Sequence, residues 1–453
     1  MNEPRVTVVG AGLAGCEAAY QLSRRGIAVD LWEMKPEKKS PAHHSDSFCE
    51  LVCSNSLRSD RIENAVGLLK EEMRILDSLV MRCADATRVP AGGALAVDRV
   101  GFAEMVTQII RNDPNITIHA GEVSEIPGSP CIIATGPLTS NALSDAIGKL
   151  VGAQLHFFDA AAPIVTYESL DLNKVFRASR YGRGDDYLNC PMTKEEYFAF
   201  YNALITAETA DLHSFETPRV FEGCMPVEAM AKRGEMTLCY GPLKPVGLDQ
   251  PGEGKAEEAA AAEKPRRRRF GFDPNGPFAV VQLRQDSADG SLWNIVGFQT
   301  NLKFSEQRRV FGMIPGLEHA EYARYGVMHR NTFLPSPGLL HWDFQMKNRP
   351  GTFFAGQITG VEGYVESASS GCLAAVEMAR YLRGQEPLDF TAKTAIGALG
   401  HYVAEYMGSD FQPMNITFGI MESWPERIRS KPERYGKIAE RSLKIVKELK
   451  TNA

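Results

Sequence analysis

The stretch that decides the fold is "RVTVVGAGLAGCEAAYQLSRRGIAVDLWE", residues 5–33. It reads as strand, turn, helix, strand. The opening "VTVV" lacks the apolar-polar alternation of a half-solvated strand, so it belongs in a parallel sheet buried on both faces. Gly10, Ala11, Gly12, Leu13, Ala14 and Gly15 then fill the G-x-G-x-x-G spacing between that strand and a helix. A tight turn at Gly10, close approach of a pyrophosphate at Gly12 and close helix-to-strand packing at Gly15 each need a residue without a Cβ, and the first helical N–H groups face the phosphates. Ala14, Ala18, Ala19 and Leu22 form one small apolar stripe on that helix. Glu33 closes the second strand 18 residues after Gly15, near the ~20 at which an acid holds the hydroxyls of an adenosine ribose. A dinucleotide-binding βαβ unit opens the chain.

At 453 residues the chain exceeds one ordinary core and calls for two domains. "CIIATGP" (131–137) is a strand ending in Ala-Thr-Gly, and "FFAGQITGVEGYVESASSG" (353–371) is a strand, a glycine loop and a helix start. Both resemble motifs of large FAD-binding flavoproteins, which implies tightly held FAD. They place Thr135 and Gly136, and later Gly356, Gln357, Gly360, Glu362 and Gly363, beside the cofactor. Between them, aromatic-rich alternating runs such as "IVTYES", "FAVVQLRQ" and "LWNIVGFQT" point to an antiparallel sheet with helices. The expected architecture is therefore α/β: a Rossmann-like FAD-binding domain with a mostly parallel sheet over 1–155 and 331–453, interrupted by an α+β insertion domain at 156–330. The low-complexity segment 248–269, "LDQPGEGKAEEAAAAEKPRRRR", reads as a surface loop of that insertion. In the first domain, helical spacing over Glu63–Asp85 predicts one core-packed helix, Arg88–Arg99 a small-residue loop, and Phe102–Arg111 a further helix.

A hydrophobic content of 44% and a charged content of 23% suit a soluble globular protein. No run approaches the roughly 20 apolar residues of a membrane span, and residues 1–30 lack the order of a secretion signal. A cytoplasmic protein with no membrane partner is the expectation, and its nine cysteines, scattered and odd in number, are expected to be reduced. The net charge of −6 argues against a nucleic-acid binder basic over its whole surface. Charge is uneven, however: Arg427–Lys450 holds nine Lys or Arg against three Glu, a local +6 able to bind phosphate.

"SFCELVCSNS" (47–56) places Cys49 and Cys53 four positions apart after His43 and His44. Structural zinc wants four closed ligands, and one cysteine pair beside two consecutive histidines does not supply them, so no metal is expected. The spacing also fits a redox disulfide poorly. Cys224 lies in "VFEGCMPVEAMAKRG" (220–234), where Pro226 suits the first position of a short helix stopped by Gly234. A thiol just before a helix start is favoured as thiolate. Cys53 and Cys224, both polar-flanked and on different expected domains, suggest a shared cleft.

Many blocks in order, among them "LVCSNSL", "RVPAGGALAVDR", "ATGPLTS", "DYLNCPMT", "CMPVE", "GPLKPVGL", "RYGVMHRNT" and "AGQITGVEGYVESA", closely resemble the bacterial folate- and FAD-dependent tRNA uridine-5 methyltransferases (the TrmFO type). The resemblance spans roughly residues 5–420 and implies methylation of carbon 5 of the T-loop uridine of tRNA. Methylenetetrahydrofolate would give the carbon, reduced FAD the reducing equivalents, and NADH or NADPH would recharge the flavin. The family's two catalytic cysteines map to Cys53 and Cys224; Cys49 falls where it needs none. Carbon 5 of uracil is a poor nucleophile until a thiolate adds at carbon 6, which accounts for a covalent cysteine. Cys224 is expected to make that attack, with Cys53 removing the carbon 5 proton or managing the methylene. Arg177, Arg180, Tyr181, Arg183 and Tyr187 mix charge with aromatic rings as an RNA surface does. The alternatives are a paralogue acting on ribosomal RNA and a non-catalytic RNA-binding flavoprotein; the presence of both cysteines argues against the second.

Overall fold

Val6–Val9 (β1) occupies the middle of a five-stranded sheet, with Val6 and Val8 fully buried. Its neighbours are Val29–Glu33 (β2) on one side and Cys131–Ile133 on the other, flanked in turn by Ile116–Ala120 and Thr352–Phe354. Every pairing is parallel. Thr352–Phe354 comes from the late glycine-rich stretch, so distant parts of the chain finish one sheet, as the Rossmann-like reading expects. The computed structural model describes residues 5–40, 42–152, 155–210, 225–248, 276–408 and 411–451. Cys224 and all but the first residue of the 248–269 segment lie outside them. No described helix is long and apolar enough to cross a membrane.

Leu13–Arg24 (α1) packs along Tyr364–Leu382, burying the stripe Ala14, Ala18, Ala19 and Leu22. The two helices approach so closely that a Cβ at Gly371 would stand 2.2 Å from the Ala14 carbonyl oxygen. Small residues are the condition of this packing.

The single helix expected over Glu63–Asp85 is two, Ala65–Ile75 (α2) and Leu79–Ala86 (α3). The break falls at Asp77, whose φ is +56°. It is held by Glu17 of α1, a fully buried carboxylate that accepts the N–H groups of Leu79 and Val80 and the hydroxyl of Ser78. Orphan donors at a helix start need such an acceptor, and here it comes from another helix. The small-residue loop expected at Arg88–Arg99 also needs correcting. Ala94–Val97 is a strand pairing antiparallel with Ser56–Ser59, and Asp98 caps the following helix, which begins at Arg99 rather than Phe102.

The chain divides into two compact units, Met1–Arg88 with Ala94–Phe158 and His329–Ala453, and Val89–Gly93 with Asp159–Met328. Val89–Gly93, assigned to the first domain from sequence, goes with the second unit, where the Ala91 carbonyl accepts from the Tyr187 hydroxyl and the Gly92 N–H donates to Asp186. The second unit is built on a six-stranded antiparallel sheet in the order Phe176–Arg177, Tyr187–Met192, Ala279–Gln285, Leu292–Ile295, Ile164–Thr166, Tyr322–Arg324. One face carries the core: Leu188, Cys190, Met192, Val281, Leu283, Trp293 and Ile295 pack with Tyr197, Phe200 and Phe311 from helices.

Helix α2 also carries Glu72, fully buried, which accepts the N–H groups of Ala395 and Ile396 at 2.8 Å each and the hydroxyl of Ser442. Burial raises its pKa from 4.5 to about 7, against those hydrogen bonds. Between those two values the native protein keeps a proton that the unfolded chain has shed, so this group makes stability fall as pH rises through the window. The full effect is about 3 kcal/mol. The thermal midpoint of the parent is expected to drop between pH 5 and pH 7, and that of Glu72→Gln to drop less steeply, the remaining slope coming from other buried carboxylates such as Glu377, whose pKa burial raises to about 8. An equal slope in the variant would assign the effect to another group.

Candidate active site

The glycine turn opens into a cleft that runs from the end of β1 to the start of the long helix Tyr364–Leu382. Gly10, Ala11, Gly12, Leu13 and Ala14 line one wall, Glu33 and Lys35 follow from the end of β2, and Thr135 and Gly136 from the end of Cys131–Ile133. Gly356 and Gln357 line the far side with Tyr364 and Ser367 from the start of the long helix. The strands deliver these residues to one place because all of them point their carboxyl ends at the same edge of a parallel sheet.

Each glycine has its own reason. Gly10 has φ +98°, and a Cβ there would meet the Ala134 carbonyl oxygen at 2.7 Å; at Gly15 it would meet the Gly10 carbonyl oxygen at 1.8 Å. Gly12 differs, because a Cβ there would meet nothing within 4 Å although the residue lines the cleft. Its missing side chain leaves room for a ligand rather than for protein. No side chain caps the amino end of α1, so its first N–H groups are available to a phosphate. Glu33 is buried; one carboxylate oxygen accepts the Ala11 N–H at 2.7 Å and the other the Lys35 N–H at 3.0 Å. Each oxygen keeps a lone pair for a ribose hydroxyl. The residues present therefore fit the adenosine-diphosphate half of FAD.

Gly15, Cys53, Gly360, Glu362 and Gly363 are not among the lining residues, whereas Cys49 is. Gly15 lies behind the turn. Gly360, with φ +90°, would push a Cβ to 2.5 Å from the Phe411 ring, and Gly363, with φ +111°, would push one to 2.3 Å from Glu366 Oε2. Glu362 accepts from Gln357 Nε2 at 2.9 Å and steadies that wall residue from behind. These three shape the loop.

The two nearby thiols separate cleanly. Cys49 is buried with φ +51°, and its N–H donates to the Ala11 carbonyl at 3.0 Å. Burial and the neighbouring Cys16 push its thiol pKa far above the ordinary range, so it is a structural prop of the glycine turn. Cys53 is partly exposed, and its backbone N–H donates to the Tyr364 hydroxyl oxygen at 2.8 Å, as does that of Ser54 at 3.2 Å. Asn55 is fully buried and ties the same segment to Val97 through a 2.9 Å bond. Cys53 is thus pinned beside a residue of the cleft wall. None of the described cysteines is in a disulfide.

In the second unit, the helix after Cys224 is Val227–Ala231, with Pro226 at the cap rather than the first helical position. Five residues make little more than one turn, and the dipole expected to act on Cys224 is correspondingly short. The helix is anchored by Glu228, which accepts the Asn301 N–H at 2.7 Å and the Thr300 hydroxyl at 2.9 Å. The expected RNA surface splits: Tyr181 is 61% exposed with Arg183 over its ring, whereas Arg180 donates inward to Gln282 and Val246, and Tyr187 to Ala91.

Residues 5–386 match the family model described as glucose inhibited division protein A. The methylenetetrahydrofolate–tRNA-(uracil-5-)-methyltransferase TrmFO of Acetivibrio thermocellus is 58% identical over 446 residues, covering 98% of both chains. Proteins of the same name from Desulforamulus reducens and Listeria monocytogenes serotype 4b are 57% and 55% identical over 451 and 449 residues, with at least 98% of each chain covered. The chain belongs to the glucose inhibited division protein A family, on its TrmFO branch. Two crystal forms of Aquifex aeolicus GidA share the fold, with TM-scores of 0.68 and 0.66 at 15% and 17% identity, over 98% and 99% of this chain and 74% and 79% of theirs.

Tyr364 and Lys35 escaped the sequence reading. Tyr364 stands inside a quoted motif, but its use depends on where the first turn of a helix points, and that depends on the positive φ of Gly363. Lys35 follows Glu33 by two positions and so shares its side of the strand end, which was the available signal.

Proposed function

We propose that this chain methylates carbon 5 of the T-loop uridine of tRNA, taking the carbon from methylenetetrahydrofolate, with FAD in the glycine-walled cleft and NADH or NADPH as reductant. The supporting observation is the position of Cys53, whose backbone hangs on the cleft-wall residue Tyr364. Bound there, reduced FAD supplies the two electrons that make a methyl group of the transferred methylene carbon. Gly10, Ala11, Gly12, Leu13, Ala14 and Glu33 hold its adenosine-diphosphate half; Thr135, Gly136, Gly356 and Gln357 face its middle, with Gly15, Gly360, Glu362 and Gly363 shaping those walls.

The chemistry assigned to the chain's own groups is the following. The Cys224 thiolate forms a bond to carbon 6 of uracil, and the electron pair of the carbon 5–carbon 6 double bond makes carbon 5 nucleophilic. After carbon 5 has taken the one-carbon unit, Cys53 removes the carbon 5 proton as the bond from that unit's carbon to the folate nitrogen breaks and tetrahydrofolate leaves. Once two electrons and a proton have turned the resulting methylene into a methyl group, the carbon 6–sulfur bond breaks, returning the Cys224 thiolate and restoring the ring double bond. The uridine must leave its stack to be reached, at a cost of a few kcal/mol. A single-turnover assay with FAD-loaded protein, methylenetetrahydrofolate, NADPH and unmodified tRNA is expected to give 5-methyluridine only when all are present. No methylation in the complete mixture would defeat the proposal.

Replacing Tyr364 with Phe leaves the N–H groups of Cys53 and Ser54 without their shared acceptor, a loss of about 1–3 kcal/mol. The methylation rate is expected to fall about tenfold, with FAD retained. A parental rate in this variant would mean that something else positions Cys53.

A further inference from the structure

The basic stretch near the carboxyl end has no part in the site above. Its helix, Lys431–Lys450, buries Ile438, Ala439, Ser442 and Val446 and packs against α2, so its other side faces solvent. Arg427, Arg429, Lys431, Arg434, Lys437 and Lys447 have no carboxylate within ion-pair distance among the described residues. Unpaired cations are unusual on a chain of net charge −6, where acidic partners outnumber them.

They are also arranged. Lys431 and Arg434 lie over the Tyr435 ring at 5.3 and 5.4 Å, and Tyr435 is itself stacked on Phe418 at 4.1 Å. Lys437 and Arg441 lie over the Trp424 ring at 5.6 and 5.8 Å. A ring quadrupole attracts a cation but carries no net charge, so Lys431, Arg434 and Lys437 are held in place without being neutralised, whereas Arg441 is also paired with Glu422 at 3.7 Å. A surface of fixed, uncompensated cations suits a polyanion with regularly spaced charges. No large apolar side chain is exposed among the described residues 411–451, whereas a membrane-docking helix needs an apolar face to bury.

Resting on the reading of the chain as a tRNA-modifying enzyme, we infer that the face formed by Arg427, Arg429 and the solvent side of Lys431–Lys450 binds the phosphate backbone of the substrate tRNA. It gives affinity without reading sequence, because it meets phosphates rather than base edges.

The test compares the parent with Arg427→Gln, Arg429→Gln, Arg434→Gln and Lys437→Gln combined, all loaded with FAD. None of the four touches the cleft, so FAD content and thermal midpoint report whether the variant is folded. Binding of an unmodified tRNA transcript is measured against salt. The variant is expected to bind at least about tenfold more weakly, and its slope of log affinity against log salt to be shallower by about 3, at about 0.7–0.9 for each phosphate left without its cation. A folded variant with the parental affinity and slope would overturn the inference. So would loss of binding to vesicles of anionic phospholipid with tRNA binding unchanged. A parent that binds tRNA through this face yet transfers no methyl group would instead sink the functional reading alone.

Discussion

Gly12→Val is expected to expel FAD from a protein that still folds, and Gly15→Ala to damage the fold itself. The two glycines belong to one motif and stand three residues apart, yet a Cβ meets different things at each. At Gly15 it would be 1.8 Å from the Gly10 carbonyl oxygen, and backbone cannot step aside without opening the turn between β1 and α1. Overpacking of this kind costs about 1–3 kcal/mol or more, and the thermal midpoint of the apoprotein is expected to fall by several degrees. At Gly12 the backbone has φ −80° and ψ −171°, which any residue adopts, and a Cβ would meet nothing within 4 Å. Valine there occupies only the space left for the pyrophosphate. The apoprotein should keep the parental midpoint while its Kd for FAD, read from flavin absorbance during titration, rises about 10- to 100-fold. A variant that binds FAD like the parent would place the pyrophosphate elsewhere. One that unfolds would show that Gly12 serves packing after all.

The same contrast marks what could be read in the sequence. The βαβ unit was legible because each glycine of the turn answers a local constraint, and local constraints leave a fixed spacing. The antiparallel sheet of the second unit was legible from alternation, since in Ala279–Gln285 the polar Gln282 and Arg284 share one face and Val281 and Leu283 the other, although both faces are buried. The break between α2 and α3 was not, although Asp77-Ser78 is a plausible cap in hindsight: the periodic leucines run through it, and what enforces the break is Glu17, contributed by α1. Glu72 is a similar case, its partners lying more than three hundred residues away. A carboxylate capping a remote helix looks like any surface acid until the fold is known. At the site, the cysteine spacing excluded zinc but could not tell Cys49 from Cys53. Burial tells them apart: Cys49 touches the cleft but is almost wholly buried, whereas Cys53 stands outside the lining, partly exposed, with its backbone held by Tyr364.

The division of labour between Cys53 and Cys224 yields the largest expected effect. Cys224→Ala removes the atom that must bond to carbon 6 before carbon 5 can react, and alanine supplies no nucleophile in its place. Methylation is expected to fall below detection, with FAD content unchanged. Cys53→Ala removes a proton acceptor, a role worth about 10²- to 10⁴-fold, so a slow residual rate should survive. Rates alone could confuse the two, and a trapped adduct does not. In a tRNA with fluorine in place of hydrogen at carbon 5 of the target uridine, the nucleophile can add at carbon 6 but the final elimination is blocked, leaving protein and RNA covalently joined. Given methylenetetrahydrofolate and NADPH, the parent and Cys53→Ala are expected to form this adduct and Cys224→Ala to form none. The opposite pattern would exchange the roles, making the thiol pinned at Tyr364 the one that attacks. An adduct in both variants would exclude a cysteine nucleophile at either position.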